Sequence, residues 1–480
     1  MVRIRRYEQA DQKKFAALSG DFNPIHIDDT IARRELFGEV VVHGVHLILS
    51  ALDFCMSGRQ AGSEFCIVSL KAKFFNPALL SKELQFNAWD NGCLLKIEVR
   101  DKRSQLLSAM EIGYAENGSA TISDAPVSEE IFSIGQPEKV AISEIAQIKG
   151  EVPLHLNRTV FAALFPNLFE RMVPAQIAEI LAYTRIVGMK CPGFHSLFSG
   201  IELKGQFRQA REVQFAVTQV IEKFSIITVN ADGPTLTGNL SALFRPPIIK
   251  QPSVNEVAAH VSAEVYKGMT ALIIGGSRGI GETTAKIIAA GGGTPIITYH
   301  MGRNETEGIC SEIHSAGFPC KSAQLSIVDI QSVLDTMLPG SGINTIFYYP
   351  TPKIIKSGIF DSELFRHFSF YYIDQFDVLV NAAKTHLPHA TIFYPSTIAI
   401  DEANSGLKEY VMAKIAAEHL CHFYNKNIKN LHIHIHRLPR LETDQTLNLQ
   451  NYRAQSVISV MKPIIGTMYN KMQELGAAAK

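Results

Sequence analysis

Asp21 and His26 stand in the string Ser19-Gly20-Asp21-Phe22-Asn23-Pro24-Ile25-His26, which is followed by Phe37-Gly38 and then by His43-Gly44. A carboxylate and an imidazole on either side of an Asn-Pro turn can grip one water together, because Pro24 stiffens the chain between them. Gly44 opens an apolar stretch. Without a side chain, its backbone N–H can point at a polarised carbonyl oxygen, aided by the dipole of the helix it starts. Asn23 is placed to hold the turn and to orient His26, and His43 to pack beside the helix start. Adding water to an acyl chain next to such a carbonyl, or removing it, is the chemistry these residues suit. An N-capping Asp and a surface His would explain either residue alone, but not the ordered string.

A second set lies in the C-terminal part. The apolar strand Thr270 to Ile274 runs into Gly275-Gly276-Ser277-Arg278-Gly279-Ile280-Gly281 and then a helix expected over Glu282 to Ala290. A Gly-rich turn between strand and helix lets backbone amides approach a pyrophosphate. Downstream, Tyr410 and Lys414 are four residues apart and so share a helix face. Lys414 can lower the tyrosine's pKa, which suits Tyr410 to proton transfer. Ser396 and Thr397 follow the apolar strand Ala390 to Tyr394. The stretch Thr298-Tyr299-His300 carries no acid for a ribose 2′-hydroxyl, whereas Arg278 and Arg303 can pair with a 2′-phosphate. That favours NADPH over NADH. His432, His434 and His436 alternate along one strand and face one way, a possible metal set. A packing or interface role is the expectation for them, with no metal.

The elements that must carry these residues fall into three segments. Breaker-rich sequence from Glu116 to Gly150, and Pro-rich sequence from Arg245-Pro246-Pro247 to Lys267, divide the chain. The second of these includes a short helical pattern from Val254 to Tyr266. Segment one (residues 1–120) has a helix pattern from Gly44 to Met56, with Val45, Ile48, Leu49, Leu52 and Cys55 on one face. Strands follow at Phe65 to Phe74, Leu94 to Val99 and Leu106 to Tyr114. Segment two (150–250) repeats the order. Its helix runs from Pro174 to Met189 with Ile177, Ile180, Leu181, Thr184 and Val187 on one face. Its strands are Leu203 to Phe207, Val213 to Val220, Ser225 to Asn230 and Leu236 to Phe244. A long helix wrapped by an antiparallel sheet, twice over, is an α+β double hot-dog. The third segment (265–480) reads as an α/β Rossmann-type domain.

Whole-chain composition narrows the function classes. Of 480 residues, 46% are hydrophobic and 19% charged, which supports filled cores rather than disorder. The 46 basic and 46 acidic side chains cancel, so electrostatic capture of nucleic acid or an anionic membrane is not expected. Apolar runs fall short of the roughly 18 residues a membrane span needs, and the first residues lack a signal-peptide core. Seven cysteines with no Cys-x-x-Cys pair argue against a disulfide framework and a zinc site. Cytoplasm is the expected compartment.

Residues 10 to 56 resemble the (R)-specific enoyl-CoA hydratases, the MaoC-like group. The resemblance rests on Phe15, Leu18-Ser19-Gly20-Asp21, Asn23-Pro24-Ile25-His26, Asp28, Ala32, Phe37-Gly38 and His43-Gly44. It implies that Asp21 and His26 are the catalytic pair acting on a trans-2-enoyl thioester. It also implies one live site per pair of hot-dogs, the second half giving a cavity for the acyl tail. Polyketide-type dehydratases suggest an alternative, in which Gln176, Glu179 or His195 of the second half supplies an acid.

Residues 268 to 450 resemble the short-chain dehydrogenases/reductases. That likeness implies Tyr410 as proton donor, Lys414 on the nicotinamide ribose, Thr397 as the hydroxyl residue with Ser396 adjacent, and a homo-oligomer. Pro439 and Glu442-Thr443-Asp444 match the loop after the sixth strand. There are departures. Tyr348-Tyr349-Pro350-Thr351 stands for Asn-Asn-Ala-Gly, Asp374 or Gln375 for the tetrad Asn, Ser326 for an adenine-contacting Asp, and Arg440 for the glycine after Pro439. They leave two outcomes, a working reductase or a dinucleotide-binding remnant. The joint expectation is a bifunctional enzyme. It would reduce a 3-ketoacyl thioester with NADPH to the (R)-3-hydroxyacyl form and reversibly dehydrate that to trans-2-enoyl, on coenzyme A or acyl carrier protein. The alternatives are a hydratase with a silent second domain, and a non-enzymatic acyl-thioester-binding scaffold.

Overall fold

The computed structural model describes residues 1–57, 65–116, 131–354, 358–402, 405–447 and 453–478. Part of the breaker-rich stretch, 117–130, lies outside the described residues. The chain divides into two compact units, Met1–Pro247 with Asn448–Gln450, and Ile248–Leu447 with Asn451–Lys480. The first two segments thus share one unit.

The first unit is built on a ten-stranded sheet. Its strands are β1 (Val2–Arg6), β2 (Phe65–Phe74), β3 (Glu83–Asp90), β4 (Leu94–Asp101), β5 (Leu106–Glu116), β6 (Lys149–Pro153), β7 (Ser196–Gly205), β8 (Glu212–Ile221), β9 (Ile226–Asp232) and β10 (Leu236–Phe244). Their order is β1-β3-β4-β5-β2-β7-β10-β9-β8-β6. The two halves follow one rule outward from the centre: the strand after the long helix, then the last, the third, the second, and a short N-terminal strand. Central β2 and β7 pair antiparallel, Ser69 opposite Lys204 through Lys73 opposite Gly200, so the halves share one continuous sheet.

Each half lays one long helix on the sheet. Gly44–Met56 is apolar almost all round, and all its residues but Gly44 and Phe54 are buried, as a helix enclosed by a sheet must be. In the second half, Pro174 at the first helical position presets its backbone for the helix. The α-helix ends at Arg185, and Ile186–Lys190 continues as a π-turn rather than the α-helix expected to Met189. Gln176 locks the halves together, accepting from the Ile67 N–H at 2.8 Å and donating to its carbonyl at 2.9 Å. β7 starts at Ser196, seven residues before the expected Leu203. The edge strands β1 and β6, β3, and the helix Gln9–Ser19 were not legible by pattern, since each is short or mostly polar.

The second unit carries β11 (Thr270–Ile274), β12 (Thr294–Tyr299), β13 (Lys321–Gln324), β14 (Thr345–Tyr348), β15 (Ala390–Thr397) and β16 (Leu431–Leu438). All pairs are parallel, in the order β13-β12-β11-β14-β15-β16. Strand order reverses between β11 and β14, the place in open α/β sheets where ligands bind at the carboxyl ends of the strands. The helix expected over Val254 to Tyr266 stops at Ala258. It packs on the helix Gly279–Ala290, and Lys286 of that helix donates to the Pro252 carbonyl. Among the described residues no helix is long and apolar enough to cross a membrane.

Candidate active sites

The Asp21 site begins at a helix end. The Gln9–Ser19 helix closes on Gly20 with φ +76°, a left-handed cap that turns the chain into Asp21. Asn23 then caps the short helix Pro24–Ile27, its side-chain oxygen accepting from the Ile25 N–H, and the Asn23 N–H donates to Asp21 Oδ1 at 3.2 Å. His26 Nδ1 donates to the Val41 carbonyl at 2.7 Å, which leaves the Nε2 lone pair for chemistry. His26 is therefore oriented by Val41. The Asn23 amide, expected to orient it, instead donates to the carbonyls of Gly188 and Gly193 and to Ser196 Oγ in the second half.

His43 is part of the cluster, beyond packing at the helix start. Its ring stacks on His26 with centroids 3.9 Å apart, and its Nε2 lies 4.0 Å from Asp21 Oδ2. One ligand-type atom from each of Asp21, His26 and His43 lies within 4.8 Å of the others. That spacing would also suit a metal, but the Asp21 oxygens already accept from Thr184 and Asn23. His43 precedes Gly44, the first residue of the long helix, whose N–H is among the donors with no intrahelical partner. A Cβ at Gly44 would meet the Phe74 ring at 2.7 Å, so a larger residue there would have to push that ring aside.

Burial sets the electrostatics. It raises the Asp21 carboxyl above its ordinary range, opposed by His26 and by bonds from Thr184 and Asn23. Burial also lowers His26 and His43 to about 3, so both imidazoles are neutral at pH 7. A buried carboxyl group beside a neutral imidazole is a pair that can take one proton and return another.

The second half supplies contacts that the motif did not announce. Thr184 Oγ1 donates to Asp21 Oδ2 at 2.7 Å, and a Cβ at Gly188 would sit 2.1 Å from Asp21 Oδ1. The sequence pattern places Thr184 only on the apolar face of its helix. The second-half residues suggested by analogy, Gln176, Glu179 and His195, are engaged elsewhere. Glu179 accepts from Tyr183 Oη at 2.6 Å and from the Thr235 and Leu236 N–H groups, and burial pushes it up to about 7. Gln176 is bonded to Ile67, and the His195 ring packs on Phe244. None of the three bonds to Asp21 or His26.

In the second unit, the glycines are needed by the turn itself. Gly275 and Gly279 have φ +81° and +56°. A Cβ at Gly281 would meet the Gly275 carbonyl at 2.5 Å, and one at Gly276 the Ile297 side chain at 2.6 Å. The helix starts at Gly279, three residues before the expected Glu282, with Arg278 as N-cap. The N–H groups of Gly279, Ile280 and Gly281, just after Ser277, are thus orphan donors at a helix start, which fits a dinucleotide diphosphate. Arg303 begins the helix Arg303–Ser315, and its guanidinium pairs with Glu307 at 2.8 Å.

The catalytic end is less complete. Tyr410 is buried and hydrogen-bonded to Thr397, which lowers its pKa against the upward push of burial. Lys414 is on the same helix, Lys408–Asn427, but its Nζ donates to the Pro395 carbonyl at 2.6 Å and lies over the rings of Tyr372 and Tyr394. Burial brings it down to about 7. Ser396 donates to Glu418, which Arg437 also grips, so it turns away from Tyr410. Tyr349, in the stretch that departs from Asn-Asn-Ala-Gly, bonds to Thr284, and Thr351 to Tyr372. Asp374 is exposed at the end of the π-turn Phe370–Asp374, with Gln375 next. Tyr372 belongs to no motif, and its only signal in the sequence is the aromatic run Phe368 to Tyr372. His432, His434 and His436 form no metal-type cluster among the described residues.

Comparisons with known proteins divide along the chain. Among solved structures, a short-chain dehydrogenase/reductase from Mycobacterium ulcerans is 16% identical with a TM-score of 0.38, over 42% of this chain and 83% of that one. The Brucella canis alternative dihydrofolate reductase FolM, solved with NADP, is 17% identical with a TM-score of 0.37, over 43% and 90%. Two characterised relatives match short stretches. The Saccharomyces cerevisiae peroxisomal hydratase-dehydrogenase-epimerase is 32% identical over 95 residues, 19% of this chain and 10% of that protein. The Aeromonas caviae (R)-specific enoyl-CoA hydratase is 39% identical over 56 residues, 12% of this chain and 40% of that protein. The chain therefore spans well under half of either relative's length. Residues 2–111, which carry Asp21, His26, His43 and Gly44, match the MaoC like domain family.

Proposed function

We propose that the first unit is a double hot-dog hydratase, its halves near residues 1–120 and 150–250, interconverting trans-2-enoyl and (R)-3-hydroxyacyl thioesters. The carrying observation is the packed set of Asp21, His26 and His43 at the start of the Gly44 helix, inside the stretch that matches the MaoC like domain. A water held by Asp21 and His26 attacks C3 of the enoyl chain. Its proton passes to one member of the pair while C2 takes a proton from the other. The Gly44 N–H faces the enolate-like oxygen that develops. The name of the Aeromonas caviae relative supports a coenzyme A thioester over acyl carrier protein.

The proposal continues into residues 265–480 as a Rossmann-type reductase that supplies the (R)-3-hydroxyacyl thioester from its 3-keto form. Gly275, Ser277, Gly279, Ile280 and Gly281 would hold the NADPH diphosphate, and Arg278 or Arg303 the 2′-phosphate. NADPH supplies the hydride. Tyr410, bonded to Thr397, would give the proton to the keto oxygen, and Lys414 would leave Pro395 for the ribose. A second reading has its own support. Lys414 against Tyr372, and Ser396 on Glu418, favour a second unit that binds nucleotide or only packs, leaving hydration as the sole activity. Loss of enoyl absorbance with crotonyl-CoA, in wild type but not Asp21→Asn, tests the first unit. Acetoacetyl-CoA with NADPH tests the second. A cytoplasmic homo-oligomer completes the proposal, read by microscopy and light scattering; the name of the Saccharomyces relative makes peroxisomes the alternative.

A further inference from the structure

Thr184 lies in the half that has no Asp-x-Asn-Pro-x-His string, yet its hydroxyl reaches the acid of the half that has one. A threonine inside a helix ordinarily returns its hydroxyl hydrogen to a carbonyl three or four residues back. Thr184 instead donates to Asp21 Oδ2 at 2.7 Å. One turn further on, the π-turn Ile186–Lys190 brings Gly188 against the other oxygen, where a Cβ would sit 2.1 Å from Oδ1. Asn23, two residues from Asp21, is tied to the Gly188 and Gly193 carbonyls of the same segment. Single-turn π-insertions tend to mark functional positions. One hydrogen bond and one close approach thus seat the carboxylate against one turn of the second half, and the Asn23 bonds tie the neighbouring chain to the same segment.

We infer that Thr184 is a positioning residue for the hydration step: its hydroxyl, with the side-chain-free seat at Gly188, anchors the Asp21 carboxylate and aims it at the water. This rests on Asp21 acting as the base. The second half then contributes to the chemistry itself, beyond shaping a cavity for the acyl tail. The groups facing Asp21 are His26 from the Pro24 helix, His43 from the start of the Gly44 helix and Thr184 from the Pro174 helix. Arg185, next to Thr184, turns to the Pro153 carbonyl and the Phe132 ring, and Arg245 pairs with Glu35 behind Asn23. No cation therefore replaces the hydroxyl when it is removed.

The test is Thr184→Val, which keeps the shape and deletes the donor, with Thr184→Ser as the rescue. Carbonyl-13C NMR on Asp-labelled protein follows the Asp21 titration, assigned by Asp21→Asn, beside the pH profile of kcat/KM for crotonyl-CoA. Losing a hydrogen bond to the charged form should raise the Asp21 titration, and the acid limb of the profile, by about one pH unit. Thr184→Ser should restore both. If the valine variant does not fold, Thr184→Ala carries the same expectation. An Asp21 titration unmoved in Thr184→Val or Thr184→Ala would overturn the inference. A shifted titration in a protein without hydratase activity would refute the hydratase reading and leave the Thr184–Asp21 coupling standing.

Discussion

The two units hold their candidate chemistry in different ways. In the first, residues close in sequence meet in space, and the far half of the sheet closes round them. In the second, the glycine turn and the Tyr410 set lie more than a hundred positions apart, and the Tyr410 set itself meets only in part: Tyr410 finds Thr397, while Lys414 and Ser396 are engaged with Pro395 and Glu418. A compact motif on a capped turn is arranged by its own backbone. A dispersed one depends on every intervening packing choice, and here the Tyr348–Thr351 stretch and Tyr372 have changed those choices.

Variants can sharpen that contrast. Asp21→Asn should lower the hydration rate by about 10³-fold, the usual weight of a positioned acid–base group, with the circular dichroism spectrum unchanged. Gly188→Ala pushes a methyl group onto the Asp21 carboxylate and should cost about 10²-fold in kcat, because small displacements of a reacting group are that expensive. A Gly188→Ala enzyme at wild-type rate would separate the second half from the chemistry.

Lys414 gives the second unit its pH signature. Its pKa in the fold, about 7, lies below the ordinary 10.5, so between those values the unfolded chain holds a proton that the folded chain has lost. Stability should therefore rise with pH from about 7 toward 10. Thermal midpoints at pH 7 and pH 9 should differ less in Lys414→Met than in wild type. Ser396→Ala, which removes a hydrogen bond to Glu418, should cost about 1 kcal/mol of stability in urea unfolding and leave any acetoacetyl-CoA reduction in place. Thr397→Val should lower that reduction. The smallest effect belongs to Glu179→Gln, which should leave hydration unchanged, since Glu179 is bonded to Tyr183, Thr235 and Leu236 and to no residue of the Asp21 cluster.

Much of the first site was legible because its signals are local. Gly20, Asn23, Pro24 and Gly44 each act through the backbone within a few residues, and the helix Gly44–Met56 and strands β2 and β10 lie where the pattern placed them. The repeat was legible as element order, since alternation and helical periodicity survive where identity does not. The contacts of His43 and Thr184 were not: His43 depends on how the chain folds back between Asp21 and the helix start, and Thr184 on a partner 163 residues away. In the second unit, the Gly275–Gly281 turn could be read from glycine spacing. The Lys414 cage of Tyr372 and Tyr394 could not, because an aromatic run reads as core until its neighbours are known.

The central claim is that Asp21 and its neighbours hydrate an enoyl thioester. The most direct measurement is the loss of enoyl absorbance when purified protein meets crotonyl-CoA, with wild type and Asp21→Asn side by side and chiral analysis of the product. The account predicts rapid loss in wild type, nearly none in Asp21→Asn, and (R)-3-hydroxybutyryl-CoA as product. Equal rates in the two proteins, or the (S) product, would contradict it.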